Sequence, residues 1–293
     1  MKTLRESIFN DVEDIVNNDN VLVEQFLKDN YIFQKSYTIN KNNVVDVDGY
    51  VLVKNKDIKS LTNGLFRFGN VKGDFNCNEC KNLTSLGGGP IKVGGSFDCS
   101  SCSNLTSLEG APREVGGRFD CDDCSFTSLK GAPEKVGETF SCMHCTKLTS
   151  LKGAPREVGE VFICDECKKL KTLEGVPQIT KSIMCRYCDK LVSLKGSPKK
   201  VDGEFNCSWC ENLTSLEGAP EKVGENFWCA HCSGLKSLEG APKEVGWDFD
   251  CSGCKNLTSL KGAPEEVRYA ICAHGNDKLV ITDSDRKKYK IKT

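Results

Sequence analysis

Apolar positions recur along this chain with a period of 21 or 22 residues. The clearest copy is Phe97-Asp98-Cys99-Ser100-Ser101-Cys102-Ser103-Asn104-Leu105-Thr106-Ser107-Leu108. There a phenylalanine, two cysteines and two leucines alternate with polar residues, and Gly110, Pro112 and Val115 complete the unit. The phrase F-x-C-x-x-C-x-x-L-x-x-L-x-G-x-P-x-x-V opens at Phe75, Phe97, Phe119, Phe140, Phe162, Ile183, Phe205, Phe227 and Phe249. Tandem copies at one fixed period mark a stacked array, one continuous body whatever its length. Phe and the first Cys lie two residues apart, so a short strand turns both to one side. The second Cys and the leucines then follow at intervals of three, which fits a compact curving coil better than a regular helix. Gly and Pro turn the chain, and a Val-Gly loop returns it to the next strand. A single coil has too little interior to fold alone, so backbone ladders and neighbouring coils must supply the rest.

The ends depart from the phrase. Over residues 1–49, Thr3 with Glu6 reads as a capping box ahead of a helical face of Leu4, Ile8, Phe9, Val12, Ile15 and Val16. Asn17-Asn18-Asp19-Asn20 separates it from a second helix carrying Val21, Val23, Phe26 and Leu27 and ending near Asn30. Tyr31 to Ile39 and Val44 to Val47 read as strands, with Asp48-Gly49 a tight turn, so this region is expected to be a small α+β cap. Tyr50–Leu61 aligns onto Phe97–Leu108 without a gap, which places Leu52 in the first cysteine slot and Asn55 in the second. A degenerate capping coil is therefore expected over 50–74, regular coils over 75–270 and a closing coil over 271–282, with Cys272 in the first cysteine slot and Lys278 to Thr282 as a closing strand. Residues 283–293 are basic and are expected to form an edge strand or tail that blocks end-to-end stacking.

The residues of the Phe97 copy resemble leucine-rich repeats, whose strand segment has the form L-x-x-L-x-L-x-x-(N/C)-x-L. Phe97 and Cys99 match the two strand leucines, and Cys102 matches the asparagine-or-cysteine position. The likeness is to the short-repeat bacterial type, in which a phenylalanine, a cysteine and a proline mark each coil. It covers roughly residues 50–282. The chain departs from it in placing Cys in a strand leucine slot, in an extra residue before the next Leu, and in the Gly-Ala-Pro turn. The resemblance implies a mainly β, right-handed, curved coil stack with a parallel sheet on one side, used for binding. It implies no particular ligand.

Composition narrows the classes. With 40 basic and 41 acidic residues the net charge is −1, so no global field favours nucleic acid or an anionic membrane. No apolar run approaches the roughly 18–20 residues of a membrane span. Met1-Lys2-Thr3-Leu4-Arg5-Glu6-Ser7 has no apolar core and does not read as a secretory signal. The expectation is a cytoplasmic monomer with reduced thiols.

Nineteen cysteines raise the question of metal. Cys77 and Cys80, Cys99 and Cys102, Cys121 and Cys124, Cys142 and Cys145, Cys164 and Cys167, Cys185 and Cys188, Cys207 and Cys210, Cys229 and Cys232, and Cys251 and Cys254 form nine C-x-x-C pairs. Such pairs are a zinc signal when two share an ion. Against zinc stand the uniform recurrence with an odd pair left over, Leu52 in a cysteine slot, and Asn55, which can hydrogen-bond turn backbone. Free cysteine packs as a small buried hydrophobe. The expectation is a structural cysteine ladder without cofactor, with zinc, or regulated disulfides between adjacent coils, as alternatives.

Function, if legible, lies in the positions that the phrase leaves free. These are the residues before and after Phe and the two between the cysteines. Early coils place Asp98, Asp120, Asp122, Asp123, Asp165 and Glu166 there, and later coils Arg186, Tyr187, Trp209, Trp228 and His231, with Trp247 just before the next strand. Exposed aromatics with arginine dominate binding hot spots, so these later residues are the candidate partner surface. His144, His231 and His274 share one slot, expected to be a tolerant surface position. Nothing forms a catalytic set, and the repeat makes each cysteine equivalent to others. The expected function is a non-enzymatic scaffold that binds a protein partner along its strand face. A metal- or redox-responsive cysteine array and a structural spacer are the alternatives.

Overall fold

A computed structural model describes residues 21–293; the expected first helix and the Asn17–Asn20 break lie outside them. Each regular coil except the one opened by Phe162 contributes two very short strands. Those opened by phenylalanine, such as Phe97–Asp98 and Phe119–Asp120, pair in parallel with Phe opposite Phe and build a 13-stranded sheet along the whole array. The segment ending in valine, such as Glu114–Val115 and Lys135–Val136, pairs likewise and builds a second set of 7 and then 4 strands. The chain is therefore a mainly β solenoid of mostly parallel strands, with very little helix. The expected parallel sheet along one side is the 13-stranded one; the x-Val segments also lie extended against their neighbours and add the 7-stranded and 4-stranded sheets.

The phrase specifies what the coils bury. Phe75, Phe97, Phe119, Phe140 and Phe162 are fully buried and stack ring on ring at centroid separations of 5.2 to 5.4 Å. Ile183 interrupts this ladder, which resumes through Phe205, Phe227 and Phe249 at 5.3 Å. In-register parallel pairing at a strand spacing of about 4.8 Å is what brings equivalent rings into offset contact. The cysteine, leucine and valine columns complete the same interior. Two coils are one residue short and adjust differently. Phe126 fills the first leucine slot with a larger side chain and is buried. Between Gly175 and Ile183 the loop after the valine slot is shortened; Thr180 is buried there, and only an isolated Glu157–Ile179 bridge remains between the 7-stranded and 4-stranded runs.

Both ends are closed by non-repeating chain. Helical residues 21–30 bury Val23 and Leu27. The expected strand from Tyr31 to Ile39 is two strands: Tyr31–Phe33 pairs antiparallel with Val51–Val53 at the edge of the long sheet, and Tyr37–Ile39 pairs antiparallel with Val44–Val47 at the edge of the second. Reversing direction at the first strand leaves no parallel edge of the same form for another coil to extend.

The register also corrects both end alignments. Val51 lies opposite Phe75 and Leu52 opposite Asn76, so Val51 and Val53 are the inward, fully buried residues and Leu52 faces out. At the other end Ile271 lies opposite Phe249 and Cys272 opposite Asp250. Cys272 is therefore an outward, half-buried residue, Ala273 takes the first cysteine slot, and His274 sits one place earlier in the turn than His144 and His231. Lys278 to Thr282 holds only a single bridge, Ser259 to Val280. A short helix, Asp283–Lys288, follows with a Thr282–Asp285 capping box, and Ile291–Lys292 then adds the last parallel strand to the long sheet.

Candidate functional site

The two cysteine slots do different work. In the second slot the thiol donates to the backbone carbonyl of the preceding coil: Cys102 to Cys77 O at 3.2 Å, Cys210 to Cys185 O at 3.2 Å, Cys232 to Cys207 O at 3.2 Å and Cys254 to Cys229 O at 3.2 Å. In the closing coil Asn276 Nδ2 donates to Cys251 O at 3.0 Å from the same position. The capping coil has Asn55 there, donating to Asn30 Oδ1 at 2.8 Å. The first slot holds Val53 and Ala273 in those two coils, neither of which donates. First-slot thiols such as Cys121 and Cys185 also donate, but to strand carbonyls of the next coil, Ser141 O and Asn206 O, that their own N–H groups already reach. A donor is thus kept in the second slot at both ends of the array, whereas the first slot there takes an apolar residue. Burial pushes the thiols of Cys77, Cys121, Cys185, Cys229 and Cys251 far above their ordinary range, which disfavours the thiolate that metal binding and disulfide exchange both need. All nineteen cysteines are free, and among the described residues no three His, Cys, Asp or Glu side chains gather as a metal-holding group.

Most of the early carboxylates serve the C-x-x-C turn. The residue after Phe accepts from the backbone N–H two places on, in Asp98 to Ser100 at 2.9 Å, Asp120 to Asp122 at 3.1 Å, Asn206 to Ser208 at 3.0 Å and Asp250 to Ser252 at 2.8 Å. This Asx turn is the physical reason for the recurrent Phe-Asp/Asn-Cys, and the recurrence was its signal in the sequence. Asp165, expected to be exposed, is 1% exposed. Its Oδ1 accepts from Arg186 N at 2.6 Å, and Arg186 Nη2 pairs with its Oδ2 at 2.6 Å. Arg186 is thereby committed to its neighbour. Arg118 Nη2 likewise pairs with Asp120 Oδ2 at 2.8 Å, while burial and the adjacent Asp122 push the Asp120 carboxyl up to about 6.

The residue just before the second cysteine adopts a left-handed conformation in coil after coil, with φ of 56° at Tyr187, 64° at Trp209 and 57° at His231. This shared geometry projects successive side chains in parallel. Tyr187 and Trp209 stack with ring centroids 5.7 Å apart, and Trp209 and His231 stack at 3.9 Å. The His231 ring lies over Gly253, where a Cβ would come within 2.4 Å of Nδ1. Tyr187 and Trp209 keep 41% and 40% of their surface exposed. His144, in the same column, lies 2.8 Å from Glu166 Oε1 and 3.6 Å from Asp123 Oδ1, and the Glu166 hydrogen bond raises its pKa.

Trp228 stands apart from that stack. It follows Phe227 on the outward face of the long sheet, where it is half-buried between Asn206 and Asp250. The same face carries half-buried Val161, Ile163 and Met184, which sequence reasoning passed over. Their signal was present in the column after Phe, which changes from Asn76, Asp98 and Asp120 to Ile163 and Met184. Trp247 is exposed at the bend before Phe249, next to exposed Tyr269, and makes no ring contact with the stack. Arg186, Tyr187, Trp209, Trp228 and His231 therefore share one region of the long sheet and its bordering turns, and Trp247 lies on the other border.

No family model, curated protein or solved structure matches the chain. No helix among the described residues is long and apolar enough to cross a membrane.

Proposed function

We propose that the chain is a non-enzymatic solenoid of the leucine-rich-repeat kind that binds a protein partner along the outward face of its long sheet. The observation that carries this reading is the Tyr187–Trp209–His231 stack, which borders the half-buried Trp228 and Met184. Rings held by their neighbours and by a fixed backbone geometry lose little freedom on contact, so an interface built on them spends little binding energy on ordering. The leucine-rich-repeat likeness is supported by the second cysteine slot, where cysteine and asparagine both donate to a carbonyl of the adjoining coil. The donor-or-apolar logic of the two slots supports a packing role for the cysteines over a metal or redox array. The test is capture on immobilised protein of the native sequence and of a Trp209→Ala/Trp228→Ala variant, with circular dichroism as the folding control. Proteins retained by the first and lost from the second support the reading; equal retention refutes it.

A further inference from the structure

Away from the long sheet lysines alternate with many of the glutamates and pair with them coil to coil: Glu114 with Lys92 at 2.7 Å, Glu157 with Lys135 at 2.7 Å and Glu239 with Lys261 at 2.8 Å, although Lys200 lies opposite Lys222 and Glu244 opposite Glu266. The outward face of the long sheet carries far fewer cations. Its two arginines are consumed by Asp120 and Asp165. Over the coils opened by Phe162 to Phe249, the carboxylates Glu166, Glu204, Asp248 and Asp250 surround the apolar strip. Among the described residues Glu204 and Asp250 have no cationic partner, and Glu166 has only His144. Asp248 Oδ1 is buried with no hydrogen-bond partner, while its Oδ2 is reached at 3.3 Å by Lys292. That lysine comes from Ile291–Lys292, the chain's own basic strand laid along the end of this sheet.

We infer that this face binds an extended, lysine- or arginine-rich polypeptide segment of a partner, its apolar side chains on Trp228, Met184 and Ile163 and its cations on Glu166, Glu204 and Asp250. The inference rests on the protein-binding reading above and adds the chemistry of the partner. Charge decides it: uncompensated carboxylates around an apolar strip repel acidic segments and favour basic ones, and Lys292 shows a strand-borne cation satisfying one of them.

The test uses the full chain and three fluorescein-labelled peptides: a repeating Lys-Ile-Lys-Tyr sequence and its counterparts with serine or glutamate in place of lysine. Fluorescence anisotropy should show the lysine peptide binding at least about tenfold more tightly than the other two, with affinity falling as salt is raised. Glu166→Gln/Glu204→Gln/Asp250→Asn should weaken the lysine peptide by about tenfold, the sum of three exposed pairs. The amide at 250 retains the oxygen that accepts from Ser252. Glu114→Gln/Glu157→Gln/Glu244→Gln, on the other sheets, should leave binding within about twofold. Equal weakening by both triple variants reduces the effect to nonspecific attraction and overturns the inference. Tight, Trp209-dependent binding of the serine peptide overturns the inference but keeps the protein-binding reading. Failure of the lysine peptide to bind overturns the inference, and the protein-binding reading is then decided separately by the Trp209- and Trp228-dependent capture. Self-association in sedimentation, abolished by the first triple variant, identifies a second copy as the occupant and also overturns the inference.

Discussion

Valine at Cys232 and valine at Cys229 are the same chemical change in one coil, and they should differ in cost. Both residues are fully buried. Cys232 Sγ donates to Cys207 O at 3.2 Å, so Cys232→Val adds about one methyl group of bulk and also leaves that carbonyl without its donor. An orphaned buried acceptor costs about 1–3 kcal/mol. Among the described residues Cys229 makes no such donation, and its slot is held by Val53 in the capping coil and Ala273 in the closing coil. Cys229→Val adds the same bulk without orphaning an acceptor, so it carries only the overpacking cost of about 1–3 kcal/mol that both variants share. Urea denaturation followed by far-ultraviolet circular dichroism measures both; the Cys232 variant should be less stable by about 1–2 kcal/mol. Equal costs, or a larger cost at Cys229, would refute the division of labour between the slots.

Two further outcomes follow from turn geometry and from charge. Gly131 has φ of 90°, and a Cβ there would lie 2.5 Å from Glu109 N, whereas at Gly64, with φ of 76°, it would meet nothing within 4 Å. In thermal melts Gly64→Ala should cost about 1 kcal/mol of left-handed strain, and Gly131→Ala about 3 kcal/mol or more because backbone must also move. The Glu166 hydrogen bond raises the His144 pKa. Its stabilising contribution is complete below the unfolded value of about 6.5 and is lost as pH rises through the higher folded value. NMR titration should place the His144 midpoint above 6.5, and Glu166→Gln should bring it down.

The repeat, the inward phrase and the mainly β coil stack were legible because each apolar type recurs in one slot and each slot has one environment. The ends were misregistered for a physical reason. A gap-free alignment of Tyr50–Leu61 assumes an intact C-x-x-C turn, but the capping coil is one residue shorter between strand and turn. The alternation Val51-Leu52-Val53 carried the correct register, since both valines must face in together. Ile271 and Ala273 repeat the lesson at the other end. The x-Val sheets escaped notice because their strands in the regular coils are two residues long and gain their identity only from neighbours more than twenty residues away. Asp165 read as exposed because its partner, Arg186, lies one coil on. The rings of Tyr187, Trp209 and His231 shared a column in the sequence. Their stacking depended on a left-handed backbone that no residue type there demands.

The claim that the cysteines are protonated packing groups is tested most directly by combined thiol and metal analysis of the native protein. Reaction with a disulfide reagent before and after guanidinium, alongside elemental mass spectrometry, measures both. The expected result is reaction at no more than the half-buried Cys272 before unfolding, all nineteen thiols after it, and no stoichiometric metal. Rapid reaction of many native thiols, or zinc at about one ion per two C-x-x-C pairs, would contradict it.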